Sequence, residues 1–281
     1  RDYYASRGLG DVYKRQNLLD PGETPNENIQ FLLVLACVIK AVDTHADLLR
    51  RSASNVGNDL RLGASEAPPA IVSVFLGTQL EDVVRQLVET GEARSCLEGS
   101  TLHTGVSTVP DLPMDATDRN RTSPFAFTGN RFEFRALGSS ANCGSAMLAL
   151  NSAVAYQLRQ FKTDVDSLRA QGKSKEAAIF EVLKNYIKES KPIRFDGNGY
   201  SDAWKEEALR RGLDCENSVP LQYDAYLKSD VIKMFGETGV LSQKELEARN
   251  EVKWEIYIKK VQIEARVPVS YTHLRAHETR S

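Results

Sequence analysis

The stretch Pro124–Arg135, PFAFTGNRFEFR, decides the reading of the fold. Phe125–Phe127 is short and apolar, and Arg131–Leu137 opens with strict alternation of charge and phenylalanine. Thr128-Gly129-Asn130 between them is turn chemistry, so the stretch predicts a β-hairpin. Period-2 geometry places Arg131, Glu133 and Arg135 on one face of the second strand and Phe132 and Phe134 on the other. Working upstream, Ala70–Leu76 (AIVSVFL) is β-branched and apolar and predicts a buried strand, and Leu80–Val88 predicts a short helix. Further upstream, Phe31, Leu32, Leu35, Val38, Ile39 and Val42 recur at helical spacing, and Thr24 with Glu27 forms a capping box around Pro25. These signals predict one helix from about Pro25 to Arg50. Residues 101–124 show little periodicity and predict a long loop. Downstream, helical patterns cover residues 145–171, 175–189, 202–211, 225–235 and 243–265, the last preceded by a second capping box, Ser242 with Glu245. Strands in the first half and helices in the second give an α+β fold.

The 281 residues suffice for one large or two small domains. A net charge of −2 lacks the basic footprint of nonspecific nucleic-acid binding, so no nucleic-acid partner is expected. The longest apolar run, Phe31–Ile39, is too short to cross a bilayer, so no membrane partner is expected either. Cys37, Cys96, Cys143 and Cys215 are scattered without a C-x-x-C pair, which suggests neither a zinc site nor a redox motif and fits a reducing, cytoplasmic setting. The chain does not begin with Met and reads as a fragment or a processed product. Residues 1–16 and 268–281 lack clear periodicity and resemble translated adaptor sequence. Both are expected to be non-native tails packing against nothing specific, leaving 17–267 as the body, with its helical region at about 145–267. His273 and His277, at metal-ligand spacing, fall in the second tail, and no Glu follows the first as the zincin motif requires.

Three segments concentrate charge: Asn58–Leu62 with Glu66-Ala67-Pro68-Pro69, Asp118–Pro124, and Arg131–Arg135. An Arg-Glu-Arg row can hold phosphate with arginine and a divalent metal with the carboxylate. Taken alone, the row is read in preference as a cross-strand ion-pair ladder on a solvated sheet face. Arginines beside Pro, Gly and Asn breaks on loops favour binding.

The order of these motifs resembles the catalytic domain of glutamine synthetase, in particular its type III subgroup. Asn58…Arg61-Leu62, Glu66-Ala67-Pro68, Asn120-Arg121-Thr122, Arg131-Phe132-Glu133-Phe134-Arg135 and Ala141-Asn142 follow one another as the family's motifs do. The runs NLLDPG, HADLLR and DRNRTSPFAFTGN look like the type III version, and the resemblance covers about 17–267. It implies the antiparallel-sheet part of a glutamine synthetase/guanidino kinase-like catalytic domain followed by a mostly helical region. It also implies a ligase that joins ammonia to L-glutamate through a γ-glutamyl phosphate, using ATP and Mg2+ (or Mn2+), in a homo-oligomeric ring. By position Arg61 and Arg135 resemble the glutamate-binding arginines, and Glu66 the flap glutamate that deprotonates ammonium. Arg121 resembles the arginine that stabilises the transferring phosphoryl group, Arg131 an ATP-contacting arginine, and Glu133 a metal ligand. Two departures stand out. The family's next arginine after Asn-Arg-Ser is missing from Pro124-Phe125-Ala126-Phe127, leaving Arg119 as a candidate replacement, and Glu66 follows Arg61-Leu62 one residue early. The family's Gly-Ser-Gly-x-His loop and most of its metal ligands have no counterpart here, so this stretch is expected to be inactive alone. A catalytically inactive structural or regulatory relative is the alternative. A guanidino-kinase relative is disfavoured, because that family's cysteine-containing segment is lacking.

Overall fold

The computed structural model describes residues 17–56, 70–91, 93, 101–102, 112–113, 122–138, 141–216 and 218–278. Most of these residues are helical, and a small mixed sheet completes an α+β fold. The predicted tail 1–16 lies outside them.

The first predicted helix is two helices, α1 (Ile29–Thr44) and α2 (Ala46–Ala53), broken at His45. The Thr24/Glu27 capping box does not start α1. Thr24–Glu27 closes a turn through its backbone, and the Asn28 side chain caps the helix by accepting from Phe31 N at 3.1 Å. The turn has an anchor of its own in the buried Pro25, and the periodic apolar run that enters the helical core begins only at Phe31. His45, at φ −120° and ψ 33°, ends one helix and starts the next, so α2 leaves the axis of α1.

The predicted strand 70–76 is ordered as a strand only at β1 (Val74–Phe75). It pairs in parallel with β4 (Phe125–Phe127), which pairs antiparallel with β5 (Phe132–Phe134), giving the order β1-β4-β5. On its other side β1 meets a later segment, with Val74 N donating to Ile193 O at 2.9 Å and Phe195 N to Val74 O at 3.0 Å. The hairpin is as predicted, with a shorter second strand. Thr128 N donates to Arg131 O at 2.8 Å, and Gly129 takes the positive φ of 84° that the tight turn requires. The region 101–124 is not a structureless loop: β2 (Thr101–Leu102) and β3 (Leu112–Pro113) form an antiparallel pair within it.

After β1, α3 (Thr78–Glu89) packs its Leu80, Val83, Val84 and Leu87 into the core. Beyond β5 the chain is helical: α4 (Gly144–Ala170), α5 (Lys175–Glu189), α6 (Asp202–Arg210), α7 (Val219–Gln222), a 3-10 turn (Tyr223–Leu227), α8 (Ser229–Thr238) and α9 (Gln243–Glu278). The single helix predicted at 225–235 is therefore divided between the 3-10 turn and α8. The helix predicted at 243–265 extends to Glu278, through Pro268 and into the segment read as a tail. The second capping box is realised, with Ser242 N donating to Glu245 Oε2 at 2.8 Å and Glu245 N to Ser242 Oγ at 3.4 Å.

Helices α1, α4 and α5 pack together, and α1 is apolar nearly all round because it is covered on most sides. Phe127 carries the hairpin into that core, with its ring 6.0 Å from Phe31. A smaller cluster of Ile71, Trp204 and Ala208 sits against Phe195, whose ring stacks on Trp204 at 3.7 Å. Among the described residues no helix is long and apolar enough to cross a membrane.

Candidate active site on the hairpin

The hairpin is anchored by phenylalanine. Phe125 is fully buried, stacks on Phe132 at 4.8 Å and meets Phe134 edge-on at 6.1 Å, while Phe127 meets Phe132 at 5.2 Å. Pair geometry of this kind stabilises beyond the area buried. With the phenylalanines turned inward, alternation leaves Arg131, Glu133 and Arg135 on the opposite face, as the sequence predicted.

The three charges are joined. Arg135 donates to Glu133 Oε2 from Nη2 at 2.7 Å and from Nε at 3.0 Å. Arg131 Nη2 lies 3.4 Å from Oε1, and Thr128 Oγ1 donates to the same oxygen at 3.3 Å. Thr128 was not singled out from the sequence. The register that pairs Ala126 with Glu133 puts Thr128, two residues on, on the same face, which is the signal that would have found it. Hydrogen bonding from Arg135, ahead of its charge and the bonds from Arg131 and Thr128, holds the Glu133 carboxyl below the usual glutamate range against the opposing effect of desolvation.

The loop leading into the hairpin is pinned. Thr122 Oγ1 donates to Gly197 O at 2.9 Å and accepts from Gly199 N at 3.1 Å, and Ser123 Oγ donates to Phe125 O at 3.1 Å. Of the predicted site residues, Arg131, Glu133 and Arg135 are therefore brought together, whereas Arg61, Glu66 and Arg121, with Arg119, lie outside the described residues.

As a metal ligand Glu133 offers the right donor type, a carboxylate oxygen suited to a hard divalent cation. Among the described residues no cluster of three or more His, Cys, Asp or Glu side chains could hold a metal. A cavity of about 780 Å3 takes no lining from the hairpin; it is bordered by α1, α2 and the segments from Glu189 to Asp230.

Residues 178–275 match the family model of the glutamine synthetase C-terminal domain. A glutamine synthetase of Bacteroides fragilis is 49% identical over 255 residues, 89% of this chain and 35% of that protein. The chain belongs to the glutamine synthetase family. A type-3 glutamine synthetase of Dictyostelium discoideum is 45% identical over 251 residues, again 89% of this chain but 34% of the relative. A glutamine synthetase of Butyrivibrio fibrisolvens is 40% identical over 254 residues and is covered to 35%. The chain thus spans about a third of the length of the curated glutamine synthetases it matches.

Proposed function

We propose that the chain is part of a glutamate–ammonia ligase and supplies the phosphate-facing arginines and one metal-binding carboxylate of its active site. The observation that carries this reading is the Glu133 carboxylate held between Arg131 and Arg135 on a strand that Phe132 and Phe134 tie to the core. The similarity to glutamine synthetases over 89% of the chain supports it.

In the proposed reaction a glutamate side-chain oxygen attacks the γ-phosphorus of ATP, ADP leaves, and a γ-glutamyl phosphate forms. Ammonia then attacks the acyl carbon, and phosphate departs with its bond electrons. Charge spreads over the phosphoryl oxygens in such a transfer, so positioned cations supply most of the catalysis. Arg121 and Arg131 would face the nucleotide, Arg61 and Arg135 the glutamate, and Glu66 would take the proton from ammonium. Magnesium or manganese at Glu133 would supply further positive charge at the phosphate oxygens. Arg61, Glu66 and Arg121 are proposed to converge on the same face as Glu133, within the sheet part of a glutamine synthetase/guanidino kinase-like catalytic domain. A cytoplasmic location and a homo-oligomeric ring complete the reading.

A chimera tests it, with residues 17–267 replacing the matching segment of the Bacteroides fragilis relative. Magnesium-dependent glutamine synthesis is expected from the chimera, and Glu133→Gln should slow it on the order of a hundredfold or more. The isolated chain should give none, because one carboxylate leaves a magnesium ion mostly hydrated. Equal rates in the two chimeras would remove Glu133 from the metal site. A correctly folded chimera with no synthesis would favour the inactive structural or regulatory alternative.

A further inference from the structure

A second concentration of charge lies away from the hairpin, where α2, the 3-10 turn, α9 and the start of α4 meet. Arg51 on α2 is wholly buried, with its Cζ 3.7 Å from the centre of the Tyr223 ring and 5.4 Å from that of Tyr226. Its Nε reaches Tyr223 O at 3.4 Å, while Nη1 and Nη2 have no hydrogen-bond partner among the described residues. The Tyr226 ring is shared with Lys253 of α9, whose Nζ is 5.5 Å from its centre. Burial, and then the charges of Arg51 and Arg249, push the Lys253 ammonium down to about 8. Of the acidic groups nearby, Asp224 acts on Arg51 but also accepts from Asn250 Nδ2 at 3.4 Å, and Glu245, within reach of Arg249, is taken up by Ser242. A charge left buried in this way is costly unless something of opposite sign completes it.

A cavity adjoins this cluster on the side of Tyr226 and Lys253. It has a volume of about 350 Å3 and lies between the first turns of α4 and the flank of α9, with apolar walls from Leu148, Leu241 and Ile256 and with Arg249 and Lys253 in its lining. Ser145, in the first turn of the 27-residue α4, also lines it; that turn holds no acidic residue, and of its N–H groups Gly144 N is taken by Asn142 Oδ1 at 2.7 Å. The next N–H groups of the turn and the positive end of a long helix favour an anion there.

We propose that this cavity binds a small amphipathic anion, a monocarboxylate with an apolar body, whose charge sits between Arg249, Lys253 and the start of α4 and whose body lies against Leu148, Leu241 and Ile256. The volume suits a compound of roughly ten non-hydrogen atoms, at the lower end of ligand cavities. A bare inorganic anion would leave the apolar walls in contact with water. The site is independent of the ligase reading, since it shares no residue with the hairpin.

Calorimetric titration of the 281-residue chain with phenylacetate tests this, alongside inorganic phosphate and the uncharged analogue 2-phenylethanol. Phenylacetate should bind, with 2-phenylethanol at least about tenfold weaker. Lys253→Met and Arg249→Met should each weaken phenylacetate by about tenfold or more. Arg249 is exposed, so its variant keeps the test valid should Lys253→Met disturb folding. Near pH 8 the wild type should take up protons on binding, and Lys253→Met should not. Absence of phenylacetate binding, binding unchanged in both variants, or displacement by equimolar phosphate would overturn the proposal.

Discussion

The two contacts that the Arg135 guanidinium makes with Glu133 reach the same oxygen, Oε2, at 2.7 and 3.0 Å. The other oxygen, Oε1, carries only the longer contacts to Thr128 and Arg131, at 3.3 and 3.4 Å. Arg135 thus fixes the carboxylate through one oxygen and leaves the second with the longer contacts. The ladder of ion pairs that the bare R-x-E-x-R pattern allowed therefore exists; under the proposed function the same arrangement would orient a metal-binding oxygen.

Removing that anchor should be visible in titration. Arg135→Met should raise the Glu133 pKa, because the hydrogen bond from Arg135 is the largest cause of its depression. In the wild type the folded value lies below the unfolded one. The associated stability is therefore present above the unfolded pKa and is lost as pH falls through the folded one. Carboxyl carbon shifts followed from pH 2 to 7 give both values, and an unmoved Glu133 would contradict the assigned cause.

His45 should make the chain sensitive to mild acid. It is 2% exposed at the α1–α2 break, and burial lowers its pKa, opposed by Asp230 at 3.8 Å and by Asp47. A histidine depressed on folding takes up its proton more readily when unfolded. Stability should then be constant above the unfolded pKa of about 6.5 and should decline as pH drops below it. In thermal melts from pH 8 to 5, His45→Gln should lessen the decline; an identical decline in both proteins would assign it to other groups.

Thiol chemistry should sort the described cysteines. Cys37 is buried in α1 and desolvation pushes its thiol up to about 12, whereas Cys143 is exposed at the start of α4. At pH 8 an alkylating reagent should label Cys143 in the native chain and reach Cys37 only after denaturation. Mass spectrometry of the labelled peptides reads the order, and equal labelling rates would mean that α1 opens readily.

Phe125→Ala should destabilise the chain by about 3–5 kcal/mol, the usual cost of emptying a fully buried aromatic site. It should also loosen β5, since Phe125 touches both Phe132 and Phe134. Denaturant melts measure the first effect and amide exchange at Glu133 the second. A stable variant with slow exchange there would shift the anchoring role to Phe127.

Much of the fold was legible in local pattern. The hairpin followed from alternation around Gly129, and α4, α5 and α6 lie within a residue of their predicted bounds, because their apolar spacing and, for α5, a capping serine act over a few residues. Where local and distant forces compete, the pattern failed. The Thr24/Glu27 box is a valid start signal, but the periodic apolar run that the core takes up begins only at Phe31. The helical stretch around 225 was divided because Tyr223 turns onto Arg51, Trp254 and Tyr257, none of them near it in sequence.

The sequence by itself determined which face of β5 carries charge, where α4, α5 and α6 form, and the family through the order of its motifs. Each depends on residues within a turn or two of one another, or on simple order along the chain. Only the tertiary structure decided that Thr128 and Arg135 divide the two oxygens of Glu133, that His45 breaks the first helix and is buried there, and that Arg51 and Lys253 share the Tyr226 ring beside one cavity. Those outcomes join segments up to about two hundred residues apart, and burial and charge act through space, where spacing along a chain carries no record of them.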